Sequence, residues 1–159
     1  MSWRRYCATA EDTQLAGQAF ARVLRAGDVV LLSGQLGNGK TTFVQGVARG
    51  LGVRERVTSP TFTMVRQHEC ANDLGISTLH HGDVYRVESL VEVRELALGE
   101  LVEESAVALV EWGEIASSVF GRDVMIVDFV LDEDEGRTLV VSGALTHDRS
   151  APLDEWASQ

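Results

Sequence analysis

The chain has a single lysine, two cysteines, two prolines and few aromatic residues, 6% of 159 positions. Each scarcity excludes something. With Lys40 the only lysine, the Asn/Thr-Lys-x-Asp element that reads guanine has no place to occur, and GTP is not the expected nucleotide. Cys7 and Cys70 lie far apart and make no C-x-x-C pair, so reduced structural thiols are expected. Neither His68-x-Cys70 nor His80-His81 has the spacing of a usual zinc ligand pair, and no zinc is expected. No apolar run approaches the roughly 18 residues of a membrane span. Met1 to Tyr6 also lacks the apolar segment of a signal peptide, and the expectation is a cytoplasmic protein with no membrane partner. Cations are scarce too, 14 against 24 acids, for a net charge of -10. Such a surface repels phosphate backbones, so any nucleic acid is expected to be held by another protein.

What is present is concentrated in one stretch, Gly34-Gln35-Leu36-Gly37-Asn38-Gly39-Lys40-Thr41-Thr42, which fits the phosphate-binding pattern G-x-x-x-x-G-K-[ST]. A β-branched apolar run, Val29-Val30-Leu31-Leu32, precedes it. Phe43, Val44, Val47, Ala48 and Leu51 follow at the spacing of one helix face, with Gly52 as a stop. A loop between strand and helix is what the chemistry needs. Glycines let successive N–H groups turn towards phosphate, and the helix N-terminus adds partial positive charge. Gly37, Asn38, Gly39 and Thr42 would line the phosphates, Lys40 would reach the β- and γ-phosphates, and the Thr41 hydroxyl would hold Mg²⁺. Lys40 in a chain that otherwise uses only arginine is consistent with a site that needs a compact ammonium.

The rest reads in order. Residues 4–8 form a short strand. Thr9 and Asp12 make a capping box with Asp in place of Glu, opening a helix whose apolar face is Leu15, Ala16, Ala19, Phe20, Val23 and Leu24. Glu11, at that helix start, either lies near the nucleotide or is a solvated carboxylate. Thr58-Ser59-Pro60-Thr61-Phe62 carries hydroxyls that either touch a γ-phosphate and its metal or form an ordinary polar turn. Residues 62–68 and 76–81 read as an antiparallel hairpin about the turn 70–75. His80 and His81 form a strand-end pair, one facing in and one out, and Asp83 stands where an acid would orient or deprotonate the attacking water. Residues 88–98 read as a short helix. Ala106-Val107-Ala108-Leu109-Val110-Glu111 is a doubly buried parallel strand ending in an acid, the arrangement that holds Mg²⁺ directly or through water, with Trp112 close by. Residues 124–131 and 137–141 form a hairpin at the sheet edge, joined by the acidic turn 132–136. A single P-loop ATPase domain is expected over 1–144, with a loose C-terminal tail over 145–159.

These motifs in this order resemble the TsaE (YjeE) family, small bacterial P-loop ATPases of tRNA threonylcarbamoyladenosine biosynthesis. The resemblance is carried by Gly27-Asp28, the loop from Leu32 to Thr42, Thr58-Ser59-Pro60-Thr61-Phe62, His81-x-Asp83-x-Tyr85-Arg86 and Glu111-Trp112. It implies a P-loop NTPase-like three-layer α/β fold, a parallel core sheet with antiparallel strands added at the edges. It also implies ATP and Mg²⁺ as cofactors, Mg²⁺ binding by Thr41 and Glu111, a hydrolytic role for Asp83 beside Lys40 and Glu111, and Arg137 near the nucleotide. Ser59, Pro60, Thr61 and Phe62, with His81, Tyr85, Arg86 and Trp112, would belong to segments that respond to nucleotide. TsaD and TsaB are the implied partners, with tRNA met only through them. Gln35, Asn38 and Gly113 stand where the family usually has Asp, Ala and Pro. Neither Gln35 nor Asn38 supplies the lysine, the hydroxyl or the glycines, whereas Gly113 in place of Pro would loosen the Trp112 loop.

Two other readings remain. A small-molecule P-loop kinase would need an acceptor pocket and a lid with arginines, but Arg54, Arg56 and Arg66 look scattered. A nucleotide-dependent binding module would differ by negligible turnover even with the partner complex present. No arginine finger is evident in the sequence, so low basal activity stimulated by a partner is expected.

Overall fold

The computed structural model describes residues 1–35, 37, 39–60, 65–84, 102, 105–111 and 123–159. The strand β2 (Val29–Ser33) lies at the centre of the sheet, apolar from Val29 to Leu32 and buried throughout. It pairs in parallel with β5 (Ala106–Glu111) on one side and β6 (Met125–Leu131) on the other. Outside β5 comes β4 (Thr78–Asp83), also parallel, and then β3 (Val65–Glu69), antiparallel. On the opposite flank β7 (Arg137–Ser142) and β1 (Trp3–Cys7) add antiparallel pairings. The described order is β1-β7-β6-β2-β5-β4-β3. A parallel core with antiparallel margins is the expected architecture. The hairpin β6–β7, expected at the sheet edge, is in fact covered by β1, whose Trp3–Cys7 pairs residue for residue with Val141–Arg137.

One face of the sheet is covered by α1 (Ala10–Phe20) and α2 (Lys40–Gly50). Thr9 and Asp12 form the capping box reciprocally, the Thr9 hydroxyl accepting from the Asp12 N–H. The helices meet on small residues. A Cβ at Gly17 would stand 2.2 Å from the Phe43 carbonyl oxygen, and one at Gly46 would stand 2.0 Å from that of Gln14. This close crossing rotates α1 from the expected face. Thr13, Ala16, Gly17 and Phe20 are buried, while Leu15 is 48% exposed. Gly46→Ala should therefore push the helices apart and cost about 1–3 kcal/mol. Urea denaturation would measure this, and an unchanged midpoint would refute the close crossing.

The C-terminal residues correct the expectation of a loose tail. Ser150–Ala157 form a helix, α3, that buries Leu153 and Trp156. Trp156 sets its ring edge-on to Phe20 at 5.7 Å, and its indole N–H donates to the Ala16 carbonyl at 2.9 Å. The Trp3 indole donates to Asp154 at 2.7 Å. Just before α3, Arg149 forms a two-pronged ion pair with Asp28, the residue that leads into β2, and both are almost fully buried. The expected helix over 88–98 lies outside the described residues. No described helix is long and apolar enough to cross a membrane.

Candidate functional site

Strand β2 ends at Ser33 and the chain turns through Gly34 into the loop, where Gly37 and Gly39 adopt positive φ of 86° and 93°. Gly39 caps α2 in this left-handed conformation, which a side chain would strain. A Cβ there would also stand 2.6 Å from a guanidinium nitrogen of Arg137. Lys40 begins α2 and folds back along the loop, its ammonium donating to the Gly34 and Gln35 carbonyls at 2.6 and 3.1 Å. Burial lowers its pKa, and the carboxylates of Glu111 and Asp83 pull it partly back up. Both cation and anions therefore share one low-dielectric site.

The parallel register brings the acids to the same end of the sheet. Leu32 pairs with Glu111, and Glu111 with Asp83. Positions 79, 81 and 83 of β4 and 107, 109 and 111 of β5 share the face under α2. Thr41 then donates its hydroxyl to Glu111, with oxygen separations of 3.0 and 3.2 Å. His81 Nε2 lies 2.6 Å from Oε2 of that carboxylate, the oxygen farther from Thr41. Ser59 donates to Asp83 at 3.3 Å. Ala10, Gly37, Gly39, Lys40, Thr41, Thr42, Ser59, Asp83, Glu111 and Arg137 line one cleft of about 430 Å³.

Most of the residues expected in the site are thus assembled, but not all. Glu11 is solvent-exposed and does not line the cleft, where its neighbour Ala10 does, because the first turn of α1 points that carboxylate outward. His80 and His81 are both buried, at 7% and 0% exposure, since they point to opposite faces of a sheet covered on both. Pro60 is buried beside Ser59. Asn38, Thr61, Phe62, Tyr85, Arg86 and Trp112 lie outside the described residues. His81 as a partner of Glu111 was not legible beforehand, because only the β4–β5 register sets them side by side. Arg137, expected from the resemblance alone, reaches the loop from β7, and its buried Nε has no hydrogen bond among the described residues.

The donor set suits a hard cation. A hydroxyl and two carboxylates offer oxygen alone, the chemistry of Mg²⁺ rather than of a softer metal. Among the described residues no group of three or more His, Cys, Asp or Glu side chains could hold a metal unaided. Thr41 and Glu111 would therefore share the ion with phosphate oxygens and water, as Mg²⁺ sites on nucleotides do. The thiols stand apart from this chemistry. Cys7 and Cys70 are unbridged, and burial pushes the Cys70 thiol up to about 11.

Comparison with known proteins sharpens the picture. A family model described as "Threonylcarbamoyl adenosine biosynthesis protein TsaE" matches residues 7–139. A tRNA threonylcarbamoyladenosine biosynthesis protein TsaE of Treponema pallidum is 37% identical over 134 residues, 84% of this chain and 96% of the relative. The protein of that name from Bacillus subtilis is 41% identical over 115 residues, 72% of this chain and 68% of the relative. The crystal structure of YdiB from Bacillus subtilis superposes with a TM-score of 0.74 at 28% identity, over 99% of this chain and 94% of that one.

Proposed function

The chain belongs to the TsaE family of threonylcarbamoyl adenosine biosynthesis, and on that premise we propose that it is a Mg²⁺-dependent ATPase acting on a TsaD–TsaB complex. Hydrolysis of ATP to ADP and phosphate would sustain turnover of that complex in tRNA modification. The observation that carries the reading is the meeting of Thr41 and Glu111 at 3.0 Å inside a cleft that also holds Lys40, Asp83 and Arg137. Phosphoryl transfer needs little covalent help from a protein. It needs positioning and compensation of charge.

Each residue has a separable part. The loop N–H groups and the start of α2 bind phosphate oxygens. Lys40 leaves the Gly34 and Gln35 carbonyls for the β- and γ-phosphates. Arg137, inside the same chain, adds a second cation where charge develops. Thr41 and Glu111 would hold Mg²⁺, which when bound would supply positive charge against that of the phosphates. His81 keeps the Glu111 carboxylate turned towards Thr41. Asp83 orients the attacking water and takes its proton, and Ser59 holds Asp83 in place.

The direct test is phosphate release by the purified chain, alone and with TsaD–TsaB. Slow release that rises with the complex supports the reading, and release indifferent to the complex refutes the partner assignment. Asp83→Ala should keep ATP affinity within about threefold while lowering turnover by about a hundredfold. Equal losses in affinity and turnover would remove Asp83 from its role.

A further inference from the structure

Two of the arginines that look scattered in sequence, Arg54 and Arg56, are gathered in space with Arg49, while Arg66 stands apart. Arg49 near the end of α2, with Arg54 and Arg56 in the segment that follows, lines a concavity of about 350 Å³ together with Gln14 and Gln45. It shares no residue with the P-loop cleft. All three arginines are exposed, and among the described residues none of their guanidiniums has an ion pair or hydrogen bond. Elsewhere two exposed arginines pair with acids, Arg25 with Asp148 at 2.6 Å and Arg22 with Asp73 at 3.8 Å. Arg4 and Arg66, which are not gathered with others in a concavity, have no acid partner among the described residues. The acid within the cluster is diverted. Glu55 lies between Arg54 and Arg56 but binds His68 Nδ1 at 2.5 Å.

We propose that this arginine-lined concavity is the docking surface for a carboxylate-rich face of the partner protein complex. The assignment rests on the partner reading above. Three guanidiniums without anions among the described residues, on a chain of net charge -10, make a local surface of opposite sign to the whole. A protein can present carboxylates at that one spot and cations to the acidic remainder, whereas RNA brings a negative charge with every nucleotide. Guanidinium forks match carboxylates two bonds at a time.

The position also links docking to the nucleotide site. Arg49 belongs to α2, whose first residues are Lys40 and Thr41. Gln45, also on α2, donates to the Val57 carbonyl at 2.9 Å, and two residues further on Ser59 bonds Asp83. A partner gripping residues 54–56 holds the segment that positions the catalytic acid. Stimulation of turnover needs a connection of this kind.

The experiment compares the wild-type chain with the Arg54→Glu/Arg56→Glu variant. Affinity for TsaD–TsaB is measured by calorimetry at low and high salt, beside ATPase rates with and without the complex. The variant should fold and hydrolyse ATP alone at the wild-type rate, yet bind the complex at least about tenfold more weakly, roughly 1.4 kcal/mol. Its binding should also lose much of the salt dependence. Wild-type affinity in the variant would overturn the docking surface and leave the partner reading standing. No binding by the wild-type chain would overturn both. Titration with tRNA alone provides the remaining arm, since tRNA binding that the reversal abolishes, with partner binding intact, would replace the protein face by RNA.

Discussion

Lys40→Ala should abolish ATP turnover, with a loss of at least about a hundredfold, and weaken ATP binding together with it. The ammonium is buried at 4% exposure, already bonded to two loop carbonyls, and faces the carboxylates of Glu111 and Asp83. Truncation leaves those acids in the cleft with one cation fewer, so phosphate would meet uncompensated negative charge. Lys40→Arg should fail almost as fully. The cleft wall is the loop backbone itself, and Arg137 already stands against Gly39 where a broader guanidinium would have to pass. Phosphate release and binding of a fluorescent ATP analogue measure both effects. Turnover within threefold of wild type in either variant would remove Lys40 from the mechanism.

Arg149→Met should destabilise the fold by about 3–5 kcal/mol, because it strands the Asp28 carboxylate in the interior. Asp28 is 3% exposed and accepts from both arms of the guanidinium and from the Arg25 N–H at 2.8 Å. Its own carbonyl receives the Ala108 N–H at 3.0 Å, so the pair sits at the foot of the central strands. At a sensitivity of roughly 2–4 °C per kcal/mol for a domain of this size, the melting temperature should fall by about 10 °C. An Asp28→Leu/Arg149→Met double variant should recover much of the loss, since no charge is then left unpaired. A single variant within 1 kcal/mol of wild type would show that the pair contributes little, and that the other contacts of α3, Leu153, Trp156 and the Trp3–Asp154 bond among them, hold it.

Sequence reading succeeded where the chemistry is local. The strand–loop–helix order around Gly34–Thr42 follows from backbone geometry and spacing within a dozen residues, and the structure has it. Thr9 and Asp12 cap α1 for the same reason, being three residues apart. The doubly buried strand 106–111 was legible from its unbroken apolar run. The reading failed where a contact spans the chain. Trp156 packs on Phe20 and Arg149 pairs with Asp28 across more than a hundred residues, so a polar tail without clear periodicity gave no sign of being anchored. Leu15 was expected inside because helical periodicity favoured it. The close approach permitted by Gly17 and Gly46 turned it outward.

By itself, then, the sequence determined the glycine-rich loop between strand and helix, the capping box of α1 and the succession of strands along the chain. These depend on backbone preferences and on side-chain chemistry at fixed spacing. Only the tertiary structure decided that His81 flanks Glu111, that Arg137 stands over Gly39, that Arg49, Arg54 and Arg56 share one concavity, and that Arg149 closes on Asp28. Each is a matter of strand register or chain return. No local propensity encodes which distant residue will arrive alongside, because that is settled by burying the whole apolar surface at once.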